Sequence, residues 1–150
     1  MDSKTHLTPI VGTDAPEGYR LATKPSNFNA LCGPYYKKVV DGLVTGIALR
    51  IADKHLNELD ITHGGVLMTL ADNAMGDALE SAYGYKTSLV TVSMNSDFLK
   101  PGVAGDWVEA RPVVHRKGQR MAFAECLLHI SGTLVFKASG VFAVVGQRDT

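Results

Sequence analysis

Asp72 stands in a stretch where Val66, Leu67, Leu70, Ala71, Ala74, Met75, Ala78 and Leu79 recur near helical spacing. A carboxylate on such an apolar segment must be paired, hydrated or put to use, because burying its charge alone is costly. Put to use, it takes a proton from water or attacks an acyl carbon itself. The residues just ahead, His63-Gly64-Gly65, carry the complementary feature. Two glycines let another molecule come close to the backbone, and N–H groups in the first turn of a helix lack internal acceptors. Aimed at a carbonyl oxygen, such donors make half of an oxyanion hole. Alone, Asp72 would read as a cap or a structural ion pair; the glycine pair tilts it toward chemistry.

Gly64 and Asp72 are eight positions apart, which separates them by ~12 Å along a helix. That is too far to act on one carbonyl. If they serve one site, donor and carboxylate come from two subunits whose helices pass in opposite directions, so this chemistry requires a dimer.

The elements that must hold these residues are legible in outline. The length of 150 residues suits one domain. Residues 1–25, with Pro9, Gly12, Pro16, Gly18 and Pro25, read as an irregular arm, and residues 26–150 as the domain. Ser26 is placed to cap a short helix over Asn27 to Leu31, stopped by Gly33-Pro34. Tyr35 to Val40 and Leu43 to Ala52 flank Asp41-Gly42 as a predicted hairpin. A polar connection, Asp53 to Thr62, leads into the central helix, Val66 to Tyr83, which Gly84 ends. Four further strands follow: Thr87 to Leu99, Asp106 to His115, Met121 to Ile130 and Leu134 to Val145. The order predicts an α+β domain, an antiparallel sheet of five to six strands wrapped around one long central α-helix.

Composition narrows the partners. Fifteen basic and fifteen acidic residues cancel, so no overall positive field holds a nucleic-acid backbone. No segment approaches the ~20 apolar residues of a membrane span, and Met1 to Ile10 lack the apolar stretch of a signal peptide, so a cytoplasmic protein is expected. Cys32 and Cys126 lack C-x-x-C spacing and read as buried free thiols. His6, His55, His115 and His129 lack the spacing of metal ligands, so no metal is expected and isolated structural or surface positions are. Met68, Met75, Phe98 and Phe123 read as apolar core ahead of pocket lining. Arg116, Lys117 and Arg120 cluster around Gly118, and Lys100 precedes Pro101; such basic loop ends suit phosphate groups, with a solvated turn as the alternative.

His63-Gly64-Gly65 with Leu70-Ala71-Asp72, extended by Gly33-Pro34-Tyr35, Thr91-Val92-Ser93-Met94-Asn95 and Phe98-Leu99-Lys100-Pro101-Gly102, resembles the PaaI-like branch of hotdog-fold thioesterases, in the 4-hydroxybenzoyl-CoA thioesterase superfamily. Only the first ~25 residues lie outside the resemblance, a terminus of the kind expected to vary. The resemblance implies a hotdog fold and hydrolysis of an acyl-CoA, either an aryl-CoA of the phenylacetyl type or a medium-chain acyl-CoA. Coenzyme A is then part of the substrate, and no cofactor is needed. Gly64 N–H would polarise the thioester carbonyl, Asn57 would bind that carbonyl or the water, and the partner subunit's Asp72 would act as base or nucleophile. Thr91 would place a hydroxyl near the same water, and His63 would shape the turn rather than act as base. Gly65, Lys100, Arg116, Lys117, Gly118 and Arg120 are the positions expected to meet coenzyme A. A homodimer, paired into a homotetramer, is implied. Two alternatives share the fold: a non-catalytic acyl-CoA-binding or regulatory protein, and an enoyl-CoA hydratase or dehydratase, which arranges histidine and acid differently.

Overall fold

The computed structural model describes residues 15–147. Seven strands, β1 (Tyr19–Leu21), β2 (Tyr35–Val40), β3 (Leu43–Arg50), β4 (Thr87–Phe98), β5 (Trp107–Lys117), β6 (Met121–Ile130) and β7 (Thr133–Gln147), join in one sheet. Their order is β1-β2-β3-β5-β6-β7-β4, with every neighbouring pair antiparallel. Two helices accompany them, α1 (Asn27–Cys32) and α2 (Gly64–Ala82), with a 3-10 turn at Asp53–His55. This is the hotdog arrangement: one long helix embraced by a single sheet.

Local chemistry accounts for the turns. Asp41 and Gly42 both take positive φ, 53° and 78°, as the tight turn between β2 and β3 requires. Ser131 and Gly132 repeat this between β6 and β7, at 48° and 78°. Ser26 caps α1, its hydroxyl accepting from Asn29 N–H at 3.2 Å.

The core forms where α2 lies across the sheet. Leu67, Leu70, Ala71, Ala74, Met75, Ala78 and Leu79 are buried on one side of the helix. Period-two alternation delivers Ala122, Ala124, Cys126 and Leu128 of β6 to meet them. Ile47 and Leu49 of β3, Val108 of β5, and Phe136 and Phe142 of β7 fill the remainder. The alanines keep helix and sheet close, and Gly140 of β7 does the same: a Cβ there would lie 3.1 Å from the Met75 methyl.

The sheet has seven strands rather than five to six. The addition is β1, within the segment read as an irregular arm, where Tyr19, Arg20 and Leu21 pair with Lys38, Lys37 and Tyr36. Three residues are too few to show a period of two. Their stabilisation is tertiary: the Tyr19 and Tyr36 rings pack on Trp107 with centroids 5.7 and 5.0 Å away. Pro9, Gly12 and His6 lie outside the described residues. Helix α2 starts at Gly64, two residues before its apolar pattern begins. Met75 is core, but Phe98 and Phe123 are 54% and 38% exposed, against the expectation of apolar core for both. No helix among the described residues is long and apolar enough to cross a membrane.

Candidate active site

The start of α2 is built from the loop before it. His55 is buried; its Nδ1 accepts from Ala52 N–H at 2.9 Å and its Nε2 meets the Cys32 carbonyl. Its own carbonyl accepts from His63 N–H at 2.8 Å, which fixes where the next turn begins. His63 is then the N-cap: its Nδ1 accepts from Gly65 N–H at 2.8 Å, and its carbonyl accepts from Val66 N–H at 2.9 Å. Gly64 N–H is left without an acceptor among the described residues, at the helix end whose dipole favours negative charge. That is the donor the sequence pattern pointed to. Gly64 must also be glycine for space, since a Cβ would lie 2.9 Å from the Phe98 ring.

Asn57 shares with Gly64, Phe98 and Lys100 a surface recess of about 330 Å³. Its Oδ1 accepts from Leu59 N–H at 2.9 Å and from Ile61 N–H at 3.4 Å, so the ordinary turn role is real. Its Nδ2 has no partner among the described residues and stays available to an oxygen in the recess. Lys100 reaches this end because Lys100 N–H donates to Val135 O at 3.1 Å and Thr62 N–H donates to Gly102 O at 2.8 Å.

Asp72 lies two turns along α2, half-buried, on the flank that faces β4. Thr91 donates its hydroxyl to Asp72 Oδ1 at 2.6 Å. A short bond to a carboxylate oxygen holds the carboxylate in one orientation. Within one chain the helix keeps this pair two turns from the Gly64 recess, as the spacing required.

The basic positions divide between the ends of α2. Arg116, Lys117, Gly118 and Arg120 border a groove of about 1350 Å³ beside the helix C-terminus. Tyr83, the C-cap, donates its hydroxyl to Gly118 O at 2.6 Å. Lys117 donates to Ala82 O at 2.7 Å and sits over the Tyr83 ring, neutralising the negative end of the helix. Arg116 and Arg120 form no ion pair among the described residues. Gly118 leaves no room for a side chain, because a Cβ would lie 2.7 Å from Met121 O. Lys100 is at the other end of the helix, beside Gly64.

Residues 59–137, spanning the helix start, Asp72, Thr91 and the basic turn, match the family described as "Thioesterase superfamily". The chain belongs to the thioesterase superfamily. It is 39% identical over 129 residues to "Putative esterase PA0474" of Pseudomonas aeruginosa, covering 86% of this chain and 96% of that protein. A mutant of the phenylacetic acid degradation protein PaaI from Thermus thermophilus superposes with a TM-score of 0.71 at 26% identity, over 80% of this chain and all, 100%, of that one. A hypothetical thioesterase protein with coenzyme A from Streptococcus pneumoniae superposes at 0.69 and 26% identity, over 77% and 91% of the two chains.

For this superfamily member, three features of the site escaped sequence reading. His55 orders the turn before His63 through bonds to positions 52 and 32, and nothing local marks it for that task. Phe98 lies over Gly64, a contact made by the return of β4 to the helix start. On the flank of α2 opposite β4, Asn73 donates to Asn29 Oδ1 at 3.0 Å and Lys37 pairs with Asp77 at 2.6 Å, tying the helix to α1 and β2. Gly65, expected near coenzyme A, gives its N–H to the His63 cap. No group of histidine, cysteine or acidic residues among those described is placed to hold a metal ion.

Proposed function

We propose that this protein hydrolyses an acyl-CoA thioester, of aryl or medium-chain acyl type, to the free acid and coenzyme A. The thioester carbonyl lies in the recess beside Gly64, where Gly64 N–H and Asn57 Nδ2 meet its oxygen and stabilise the charge that develops there. The partner subunit's Asp72 then takes a proton from water as the water oxygen bonds to the carbonyl carbon. In the nucleophilic version Asp72 bonds to that carbon itself, and water opens the resulting anhydride. Either way the C–S bond breaks and the thiolate leaves with a proton. Thr91 holds the carboxylate in its attacking orientation.

The observation that carries this reading is the 2.6 Å contact between Thr91 and Asp72 on the helix whose first N–H, that of Gly64, has no acceptor among the described residues. Membership of the thioesterase superfamily supports it, as does the coenzyme A named with the Streptococcus pneumoniae relative.

The test is steady-state hydrolysis of phenylacetyl-, hydroxybenzoyl- and straight-chain acyl-CoAs, followed by free-thiol release. Asp72→Ala, shown to be folded and dimeric, is expected to lose at least ~100-fold in rate, the contribution of a positioned base. If no thioester is cleaved, or if Asp72→Ala cleaves as fast as the parent, hydrolysis falls and ligand binding becomes the better account. Product mass separates hydrolysis from hydration.

A further inference from the structure

The flank of α2 turned away from β4 borders a second cleft, of about 730 Å³, within the size range of small-molecule sites. None of the residues around it lines the Gly64 recess. Strand β2 supplies its floor. Lys37 reaches Asp77 of α2 at 2.6 Å, so this face of β2 points at the helix, and Tyr35, two residues earlier, shares the face. Ile47 of β3 pairs with Lys37 and extends the floor. Asn29 of α1 and Asn73 of α2, bonded at 3.0 Å, form a wall. The strap from β1 to α1, residues 22–26, makes the rim and is tied down by Ala22 N–H, which donates to Tyr35 O at 2.8 Å.

The fold leaves two groups of this cleft without work. Tyr35 is only 5% exposed, and its hydroxyl has no partner among the described residues. Buried hydroxyls are nearly always hydrogen-bonded, because one without a partner costs stability. Burial, with Cys32 as a smaller influence, raises the pKa of this phenol, so it remains a donor. Lys24 is exposed on the strap and forms no ion pair among the described residues. Around them the charges are uneven. Lys37 and Asp77 neutralise each other, and Lys54 donates to an uncharged acceptor, Leu31 O, at 3.2 Å. Against Lys24 and Lys54 stands one further lining carboxylate, Glu80.

We infer that this cleft is a second binding site, separate from the thioester recess, and that it takes a small hydroxyaryl carboxylic acid. Depth assigns the two ends of the ligand. A neutral hydroxyl can enter the dry floor and accept from Tyr35, whereas a carboxylate must stay near water, at the rim where Lys24 and Lys54 are exposed. Between the two ends an aromatic ring packs on Ile47, Pro25 and Pro34. An aryl acid is also what the proposed hydrolysis releases from an aryl-CoA. On that reading, the protein carries a second place for its own product, on the opposite flank of the helix turn that holds Asp72.

Calorimetric titration of the full chain with 4-hydroxyphenylacetate tests the site, with phenylacetate as the ligand that lacks the hydroxyl. Tyr35→Phe is expected to raise Kd for the hydroxylated acid about fivefold, the worth of one hydrogen bond, and to leave Kd for phenylacetate unchanged. Lys24→Ala is expected to weaken both acids about threefold, as suits an exposed, screened cation. Because the Tyr35 hydroxyl is unpaired in the free protein, Tyr35→Phe should not lower the denaturant midpoint. Equal effects of Tyr35→Phe on both acids, or a lowered midpoint with unchanged affinity, would give the hydroxyl a purely structural role and overturn the site. So would the absence of saturable binding. A titration repeated with a non-hydrolysable thioether analogue of phenylacetyl-CoA locates the acid: unchanged Kd supports a separate cleft, and displacement by the analogue overturns it. These titrations need no turnover, so failure of the hydrolytic reading, seen as an inert parent or a fully active Asp72→Ala protein, is distinguished from failure of the cleft.

Discussion

Asp72 and Thr91 meet across 19 positions of sequence, and their separate contributions can be measured. Thr91→Val keeps the shape of the side chain and removes the donor, so kcat is expected to fall about tenfold, the worth of one hydrogen bond to a charged group. Thr91→Ser, which restores the hydroxyl, should recover most of that rate in the same assay. At Gly64 the constraint is steric. Gly64→Ala places a methyl 2.9 Å from the Phe98 ring and must displace the ring or the helix start. We expect a loss of more than about tenfold in kcat/KM, with part of it recovered in Gly64→Ala/Phe98→Ala because the two positions are coupled through one contact. Independent, additive losses would show that Phe98 does not set the approach to Gly64.

The elements matter through how they begin and end. Helix α2 starts where it does because His55 fixes His63 and His63 caps Gly65. His63→Ala is expected to lower stability by about 1 kcal/mol in denaturant unfolding, the usual cost of a lost N-cap. His63→Asn, which can cap, should retain both stability and most of the hydrolytic rate. Abolished activity in a stable His63→Asn protein would instead give the imidazole a chemical role. The period-two pattern revealed β6 with both its boundaries, since that strand alternates between a wet face and the helix. It revealed neither β1, too short to alternate, nor the first turn of α2, where glycines carry no hydropathic signal.

At the scale of the whole molecule, burial sets the response to alkali. The Cys126 thiol is pushed up from an ordinary value of 9.0 to about 12 by burial, with backbone bonding and Glu125 as smaller influences. The Tyr19 hydroxyl is pushed up from 10.0 to about 12, again mainly by burial. Burial also raises Tyr35 and Tyr83. These groups are neutral when protonated, so above pH 9 the folded chain holds more protons than the unfolded one, and stability falls as pH rises. Denaturant midpoints should be level up to about pH 9 and decline beyond it. A midpoint that stays level between pH 9 and 11 would mean that these groups ionise as freely in the folded protein as in the unfolded chain. The proposed shared site adds a second expectation at this scale: specific activity should drop on dilution below the dimer dissociation constant, as mass action requires.

The sequence by itself determined the long helix, the hairpins, the positions of Gly64 and Asp72, and the arithmetic that keeps those two apart on one helix. These follow from short-range rules: helical and strand periods, turn residues with positive φ, and a fixed rise per residue. The tertiary structure alone decided that Thr91 is the hydroxyl on Asp72, that Phe98 covers Gly64, that His55 orders the turn, and that the basic turn and Lys100 lie at opposite ends of α2. Each of those contacts depends on how strands distant in sequence are ordered and registered in the sheet. No local preference along the chain encodes that order; it is set by which faces can be buried together around one helix.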